Sequence, residues 1–258
     1  MPAALINTVD RRNEIVRLIN ENRKVRVEEL ATKFVVSLVT IRNDLNYLEK
    51  KGLIHRVYGG ALIRDFVAHD SALSEKAKLA IDEKRRIGAK AADLILDGDS
   101  IILDSGTTTL EIARRIINRS SLTVMTNAVN IATVLAGNPK MNVMLTGGSL
   151  RENSYSLVGP EAESALRDFY FDKLFLGVDG FDLDVGLTTP NQLEAHLNTV
   201  MVEVARQTIL VTDSSKFGRK TLCRIGGLEK IETIITDHGI GEEYLSRLTE
   251  IGIEVILT

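Results

Sequence analysis

The chain has 258 residues, of which 44% are hydrophobic and 26% are charged, as is typical of a globular protein with one large domain or a medium and a small one. Its only cysteine is Cys223, which excludes an intrachain disulfide and favours a reducing, cytoplasmic location. It has no apolar run approaching the roughly 20 residues of a membrane span, no signal-peptide pattern and no metal-ligand spacing. We therefore expect no membrane contact, no metal and no cofactor.

Charge is unevenly distributed along the chain. Residues 1–64 contain 12 Lys and Arg against 7 Asp and Glu, whereas the remainder contains 20 against 28. A small basic head on an acidic body indicates that the head meets a polyanion. The alternative is a solvated charged face.

Three helical patterns in the head precede a hairpin signal. They are "RRNEIVRLINEN", "VEELATKF" and "SLVTIRNDLNYLEKKG", and "LIHRVYGGALI" follows with two short strands around Gly59 and Gly60. Ser37 is a good N-cap for the third helix, and Gly52 supplies its stop. This order predicts a winged helix-turn-helix over residues 1–63. The expected inward residues are Ile15, Leu18, Ile19, Val27, Leu30, Ala31, Phe34, Leu38, Ile41, Leu45 and Leu48.

The outward face of the third helix is polar and suits base edges and phosphates. We expect Arg56 on the wing to contact phosphates, and Asp44 to orient Arg42 or Arg56 through an ion pair unless it is a simple surface charge. A protein-interaction head is the alternative. The residues expected on DNA are Ser37, Val39, Thr40, Arg42, Asn43, Asn46 and Arg56.

Residues 64–80 lack a firm period and are expected to form a linker. From residue 81 to 258 a helix in "DEKRRIGAKAADLILDGDS" precedes seven apolar runs that alternate with helical stretches. This alternation predicts an α/β domain with a mostly parallel sheet and helices on both faces. The strand-forming runs are "SIILD", "LTVMT", "NVMLTGG", "KLFLGVDG", "TILVTD", "ETIITD" and "IEVIL".

Polar and small residues follow several of these strands, where ligands bind in parallel sheets. The hydroxyl-rich turn "SGTTT" opens a helix and offers backbone N–H groups and a positive dipole end to an anion. Taken alone, it could be an N-cap turn, and Gly147–Gly148 could be an ordinary turn before a flexible "SLRENSYS". The expected effector site comprises Asp104, Ser105, Gly106, Thr107, Thr108, Thr109, Thr126, Asn127, Gly147, Gly148, Arg151, Asp179, Glu194 and Lys216, with Asp213 and Ser215 nearby.

The motif "SLVTIRNDL" and the wing "GLIHRVYGGA" resemble the DeoR family of bacterial sugar-operon regulators. "SGTTT", "GVDG" and "DSSKFG" resemble the phosphate turn, the aspartate motif and the lysine segment of ribose-5-phosphate isomerases and the related coenzyme A transferase fold. The resemblance implies a sensor domain in which Ser105 to Thr109 hold a phosphate and Thr126, Asn127, Asp179, Glu194 and Lys216 surround the sugar. "MTNAVNIA" and "VTDSSKF" look closest to AgaR-type regulators of N-acetylgalactosamine and galactosamine utilisation, which implies a hexose or amino-sugar 6-phosphate effector.

The segment "EAHLNTVM" departs from the DeoR pattern, because His196 and Asn198 stand where many members have a lysine or arginine. "GVDGFDLD" also lacks the tighter acidic cluster of the isomerases. We therefore expect no enzyme but a cytoplasmic transcriptional regulator that binds operator DNA as a dimer or tetramer and is released by a phosphorylated sugar. The alternatives are a sugar-phosphate isomerase or deaminase with an accessory head, and a signalling adaptor.

Overall fold

The computed structural model describes residues 7–22, 24–51, 53–57, 59–63 and 70–258. Its head has three helices and a small antiparallel sheet in the order β1-β3-β2. The predicted winged helix-turn-helix is confirmed, with β1 as an additional strand. The predicted helix stop Gly52 lies outside the described residues. The elements are α1 (Thr8–Asn22), β1 (Lys24–Arg26), α2 (Val27–Phe34), α3 (Leu38–Lys50), β2 (Ile54–Val57) and β3 (Gly60–Ile63).

The core of the head forms where the three apolar helix stripes meet. Ile15 and Ile19 of α1 are fully buried against Ile41 and Leu45 of α3, as the helical spacing predicts. Leu38 is an exception, because 41% of its surface is exposed. It is the first residue of α3, and the inward stripe begins one turn later, so the prediction that Leu38 points inward is wrong.

Residues 70–80 pack against the body. Helix α4 (Leu73–Lys76) is anchored where the backbone N–H of Leu73 donates to the carbonyl of Asn153 at 2.7 Å, and α5 (Ile81–Asp93) follows. Of the predicted linker 64–80, residues 64–69 lie outside the described part of the chain. The domain limits 1–63, 64–80 and 81–258 stay predictions.

The body is built on a seven-stranded, all-parallel sheet in the order β15-β14-β12-β9-β4-β5-β6. All seven predicted strands belong to it. The strands of the body are β4 (Ser100–Leu103), β5 (Thr123–Thr126), β6 (Asn142–Leu145), β7 (Ser149–Arg151), β8 (Ser156–Val158), β9 (Phe171–Leu176), β10 (Gly180–Asp182), β11 (Gly186–Thr189), β12 (Ala205–Val211), β13 (Cys223–Gly226), β14 (Thr233–Thr236) and β15 (Glu254–Leu257).

Helices cover both faces of this sheet, which confirms the predicted α/β architecture. One core contains Ile87, Ile112 and Ile131, and the other contains Leu197 and Leu248. Among the described residues, no helix is both long and apolar enough to cross a bilayer. The remaining helices are α6 (Thr107–Ile116), α7 (Val129–Leu135), α8 (Pro160–Arg167), α9 (Gln192–Val204) and α10 (Glu242–Glu250).

Two smaller sheets were not predicted from the sequence. The segment expected to be flexible, "SLRENSYS", forms the antiparallel hairpin β7–β8, so that expectation is wrong. Gly148 permits this hairpin, because its φ is +98° and an added Cβ would lie 2.6 Å from the carbonyl oxygen of Val158. Strands β10, β11 and β13 form the second small sheet.

Candidate functional sites

The outward face of α3 presents exposed polar side chains, as predicted. Arg42, Asn43 and Asn46 are exposed, and 61% of Val39 is accessible. Ser37 caps the helix, because its hydroxyl accepts the backbone N–H of Thr40 at 3.0 Å. This face therefore combines a fixed helix start with side chains free to meet a partner.

Arg56 joins the wing to α3. Its guanidinium donates to the side-chain oxygen of Asn46, and its backbone N–H donates to the carboxylate of Glu49 at 2.9 Å. The two predicted DNA contacts Arg56 and Asn46 therefore restrain each other. The wing is held at a defined position beside the recognition helix.

Asp44 lies inside the head and is only 1% exposed. Its two carboxylate oxygens accept from Arg11 at 2.6 Å and from Arg12 at 2.8 Å. The prediction of an ion pair is right in kind but wrong in partner, because Asp44 pairs with neither Arg42 nor Arg56. It ties α3 to α1, since its position three residues after Ile41 places it on the buried face.

A cleft opens at the carboxyl ends of the central strands, where the turn after β4 meets the loops after β9 and β12. It encloses about 680 Å³, part of which is open to solvent. Eight predicted effector residues line it: Asp104, Ser105, Gly106, Thr107, Thr108, Asp179, Glu194 and Lys216. The other lining residues are Ser71, Leu73, Lys76, Lys84, Ser154, Gly177, Val178, Thr189, Asn198, Val211, Thr212 and Asp213.

Two ammonium groups flank Asp179 in this cleft. The Nζ of Lys76 lies 2.8 Å and 2.9 Å from its two carboxylate oxygens, and the Nζ of Lys216 lies 3.9 Å from the nearer one. Burial by itself raises the pKa of Asp179, but these cations outweigh it and hold the pKa at about 2. Burial lowers the pKa of Lys216, against the pull of Asp179 and Asp213.

Lys84 supplies a third cation from the first turn of α5. It is 5% exposed, and its Nζ donates to the backbone carbonyls of Lys76 at 2.5 Å and Leu79 at 2.7 Å. Burial lowers its pKa to about 8, and the neighbouring lysines act in the same direction although Asp213 opposes them. The lysines therefore line the cleft beside carboxylates, and an anion bound there would compete for the lysines.

Glu194 is held at the rim by the hairpin. Its carboxylate accepts from the hydroxyls of Ser154 at 2.7 Å and Ser156 at 2.8 Å, and it also pairs with Arg151. Arg151 also binds Asp70, so the predicted anion partner is engaged by two carboxylates. Arg151 does not line the cleft itself but contacts Glu194, which does.

The remaining predicted effector residues do not line the cleft. The hydroxyl of Thr109 donates to the backbone carbonyl of Asp104, and Thr126 accepts the backbone N–H of Ala128. Asn127 lies one step behind the lining, with its amide nitrogen 3.4 Å from the hydroxyl oxygen of Ser105. The side chains of these three residues therefore contact the turns near the cleft and not its interior.

Gly147 and Gly148 form the exposed turn between β6 and β7, as the ordinary-turn alternative holds.

Lys76 and Lys84 were missed by the sequence prediction. Lys76 lies in the segment taken as a linker, and its place in the cleft depends on the docking of α4. Lys84 carried a usable signal, because it precedes Ile87 by three residues and Ala91 by seven and so lies on the buried stripe of an amphipathic helix. A lysine on such a stripe needs a partner or a function.

One contact joins the head to the helix that lines the cleft. Lys51, which follows the last turn of α3, pairs with Glu83 in the first turn of α5, and both side chains are largely buried. Glu83 directly precedes Lys84. The end of the recognition helix therefore contacts the same helical turn that supplies a cation to the cleft.

Family models match both parts of the chain. The model described as the DeoR-like helix-turn-helix domain matches residues 11–66, and the model described as the DeoR C terminal sensor domain matches residues 79–238. The chain belongs to the DeoR family. The DeoR sensor model covers the turn after β4, the hairpin and the loop that carries Lys216. DNA and a small-molecule effector are therefore its expected partners.

Similar proteins of nearly full length are also regulators. The chain is 44% identical over 252 residues to an aga operon transcriptional repressor of Escherichia coli O157:H7, a match that covers 97% of this chain and 94% of the relative. It is 37% identical over 248 residues to the HTH-type transcriptional regulator GlpR of Haloferax volcanii, covering 96% of each. This DeoR-family chain is thus a transcriptional regulator.

Solved structures match part of the chain. Ribose 5-phosphate isomerase A of Methanocaldococcus jannaschii is 16% identical with a TM-score of 0.41, covering 54% of this chain and 56% of that chain. The delta subunit of eIF2B from Chaetomium thermophilum is 19% identical with a TM-score of 0.40, covering 57% and 52%. Matches at this level carry no conclusion about function.

Proposed function

We propose that this protein is a repressor of a sugar or amino-sugar utilisation operon that a phosphorylated sugar releases from its operator. The proposal rests on one arrangement: the cleft at the N-terminus of α6 is also lined by Lys76, Lys84 and Lys216. Three ammonium groups and the positive end of a helix dipole in one cleft favour a dianion such as a phosphate monoester.

The cleft also offers the polar groups that a sugar requires. Asn198 and Thr189 line its wall, and the hydroxyls of Thr107 and Thr108 lie at its α6 end. These side chains can donate and accept hydrogen bonds, as the hydroxyl groups of a sugar require. A phosphorylated sugar therefore fits the cleft better than a free phosphate does.

Operator binding is assigned to the exposed face of α3, with Arg42 and Asn43 at base edges and Arg56 toward the backbone. A single winged helix contacts too few base pairs for ordinary operator affinity, so we propose that the protein binds as a dimer or tetramer with paired heads. The repressor mode and the amino-sugar operon follow the name of the aga operon relative. They favour N-acetylgalactosamine 6-phosphate, whose amide group is uncharged, as the first effector to test.

Release requires that the effector bind two states of the protein with different affinities. The Lys51–Glu83 contact offers a route, because a phosphate that attracts Lys84 would draw its ammonium away from the carbonyls of Lys76 and Leu79. The first turn of α5 would then shift, and Glu83 with it. The position of α3 relative to the body would change as a result.

A thermal-shift screen tests the effector half of this proposal. At about 100 times the dissociation constant, a bound sugar 6-phosphate should stabilise the protein by about 2.7 kcal/mol, and its unphosphorylated sugar should not. The Lys216→Ala variant should lose the shift, whereas Lys90→Ala, which removes an exposed lysine on the same helix as Lys84, should keep it. A panel in which no sugar phosphate raises the melting temperature of the wild type would contradict the proposal.

A further inference from the structure

Asp104 has a carboxylate oxygen that no protein group satisfies. The residue lines the cleft and is 2% exposed. Its Oδ2 accepts the backbone N–H of Gly177 at 3.0 Å, but its Oδ1 is buried without a hydrogen-bond partner. The hydroxyl of Thr109 is close by but donates to the backbone carbonyls of Asp104 and Gly106.

The three other acidic side chains in the cleft all accept hydrogen bonds or pair with cations. Asp179 pairs with two lysines, and Glu194 accepts from two serine hydroxyls and pairs with Arg151. Asp213 accepts the backbone N–H of Ser215 at 3.1 Å. A buried oxygen left without a donor costs about 1–3 kcal/mol, so the unmatched Oδ1 of Asp104 needs a reason.

Two glycines leave space beside this carboxylate. An added Cβ at Gly106 would lie 3.6 Å from Oδ1, and one at Gly177 would lie 3.6 Å from Oδ2. Both glycines line the cleft, so the carboxyl group is approached from the cleft through positions that lack side chains. Because Oδ1 is covered in this structure, a ligand group that reaches it must displace the turn at Gly106 by a small amount.

We infer that Asp104 is a specificity-determining residue whose Oδ1 hydrogen-bonds a hydroxyl group of the sugar bound in the cleft. The inference rests on the proposed function and goes beyond it, because it assigns the chemical group that the site distinguishes. A hydroxyl is selected over an ammonium group, since three lysines already surround the ligand position.

The protonation of Asp104 favours the same choice. Burial raises its pKa to about 8, with Glu194 and Asp179 acting in the same direction against the N–H of Gly177 and the nearby hydroxyl of Thr109. The carboxyl group is therefore largely protonated at neutral pH. A hydroxyl can accept from the protonated form and donate to either form, whereas an ammonium group can only donate and does so most strongly to the ionised form.

Isothermal titration of the full chain separates these groups. The probes are galactose 6-phosphate, galactosamine 6-phosphate and inorganic phosphate, and the variants are Asp104→Ala and Asp104→Asn. Asparagine mimics the protonated acid, since its oxygen still accepts from Gly177 while its NH₂ faces the ligand. Asp104→Ala should weaken the binding of galactose 6-phosphate by roughly 5- to 150-fold, which is the loss expected when a polar group is left unpaired.

Two further results are expected. Asp104→Asn should bind galactose 6-phosphate within about fivefold of wild type, and both variants should bind inorganic phosphate as wild type does, because the lysines are untouched. Wild type should also bind galactosamine 6-phosphate more weakly than galactose 6-phosphate. Retained folding of the asparagine variant, checked by its melting temperature, keeps the test valid if the alanine variant unfolds.

The inference is overturned if Asp104→Ala binds galactose 6-phosphate as tightly as wild type. It is also overturned if both variants lose affinity for inorganic phosphate to the same extent, because that indicates a structural role. A third contrary result is that wild type prefers galactosamine 6-phosphate and Asp104→Asn abolishes that preference. If the wild type binds none of the three probes and no sugar phosphate raises its melting temperature, the proposed function fails instead, so the two failures are distinguishable.

Discussion

The outward face of α3 and the cleft of the body both contain cationic side chains, but they hold them differently. Arg42 projects into solvent from α3, whereas Lys84 and Lys216 lie in the cleft with protein acceptors or carboxylates around them. A DNA backbone is long and hydrated. The arginine and lysine side chains that contact it can therefore be exposed and can adjust on contact. A small dianion offers few contacts, and fixed, partly desolvated cations bind it more strongly.

This difference predicts that removing a charged side chain changes the stability of the protein by different amounts in the two regions. An exposed cation can be removed with little loss of stability, while a buried one leaves its partner uncompensated. The head contains both kinds of site, because Asp44 is buried with Arg11 and Arg12 beneath the exposed face. The following predictions test this contrast, beginning with the largest expected effect.

Asp44→Ala should destabilise the head by about 3–5 kcal/mol, because it leaves the charge of buried Arg11 without its partner. Urea unfolding followed by circular dichroism measures this. Arg42→Ala is the matched control and should stay within about 0.5 kcal/mol of wild type. Equal urea midpoints for Asp44→Ala and wild type would show that the buried pair does not support the head.

Arg42→Ala should weaken operator binding by roughly 1–3 kcal/mol while leaving the fold intact. Fluorescence anisotropy with a duplex selected by the protein itself from random sequences gives this affinity. Lys90→Ala removes an exposed cation of α5 and should bind that duplex as wild type does. If Arg42→Ala binds the duplex as tightly as wild type does, the placement of α3 on DNA is wrong.

Effector affinity should fall by roughly tenfold between about pH 7 and about pH 9, because the ammonium group of Lys84 loses its proton above its pKa of about 8. The sign follows from the charges: deprotonation removes a cation from a site for a dianion, and ionisation of Asp104 over the same range adds an anion. Isothermal titration at each pH measures the effect.

The matched variant for this pH dependence is Lys84→Arg, which keeps its charge throughout the range. Its affinity should fall less steeply with pH than that of the wild type, since the side chain at position 84 no longer loses its charge. Identical pH dependence in the two proteins would mean that Lys84 does not contact the anion.

Glu83→Gln should weaken the coupling between effector and operator while leaving each separate affinity within about twofold, because Glu83 contacts Lys51 and does not line the cleft. The measured quantity is the ratio of effector affinities for free and operator-bound protein, which should fall by roughly fivefold. The exchanged pair Lys51→Glu with Glu83→Lys should restore the ratio. An unchanged ratio in Glu83→Gln would exclude this contact as the route.

The seven strands and the winged head could be predicted from sequence because their signals are local. Apolar runs alternate with amphipathic stretches, and a parallel sheet brings the ends of its strands to one edge. That is why Ser105, Thr107, Asp179 and Lys216 were assigned to one site and are found lining one cleft. Their roles in binding remain predictions.

What the sequence could not give depends on tertiary docking. Lys76 enters the cleft only because α4 is anchored to the β7–β8 hairpin, and that hairpin was itself expected to be flexible. The predicted partners of Asp44 were wrong because Arg42 and Arg56 are closer to it along the chain than α1, which supplies the actual partners. Its spacing from Ile41 and Leu48 nevertheless placed it on the buried stripe, so the periodicity held information that was not used.

The most direct test of the central claim is a titration of the operator complex with a sugar 6-phosphate, followed by anisotropy of the labelled DNA. We predict that wild type releases the duplex, and that Lys216→Ala and Thr107→Ala bind it with wild-type affinity but do not release it at the same concentration. Release of the DNA by both variants at the wild-type concentration would contradict the account.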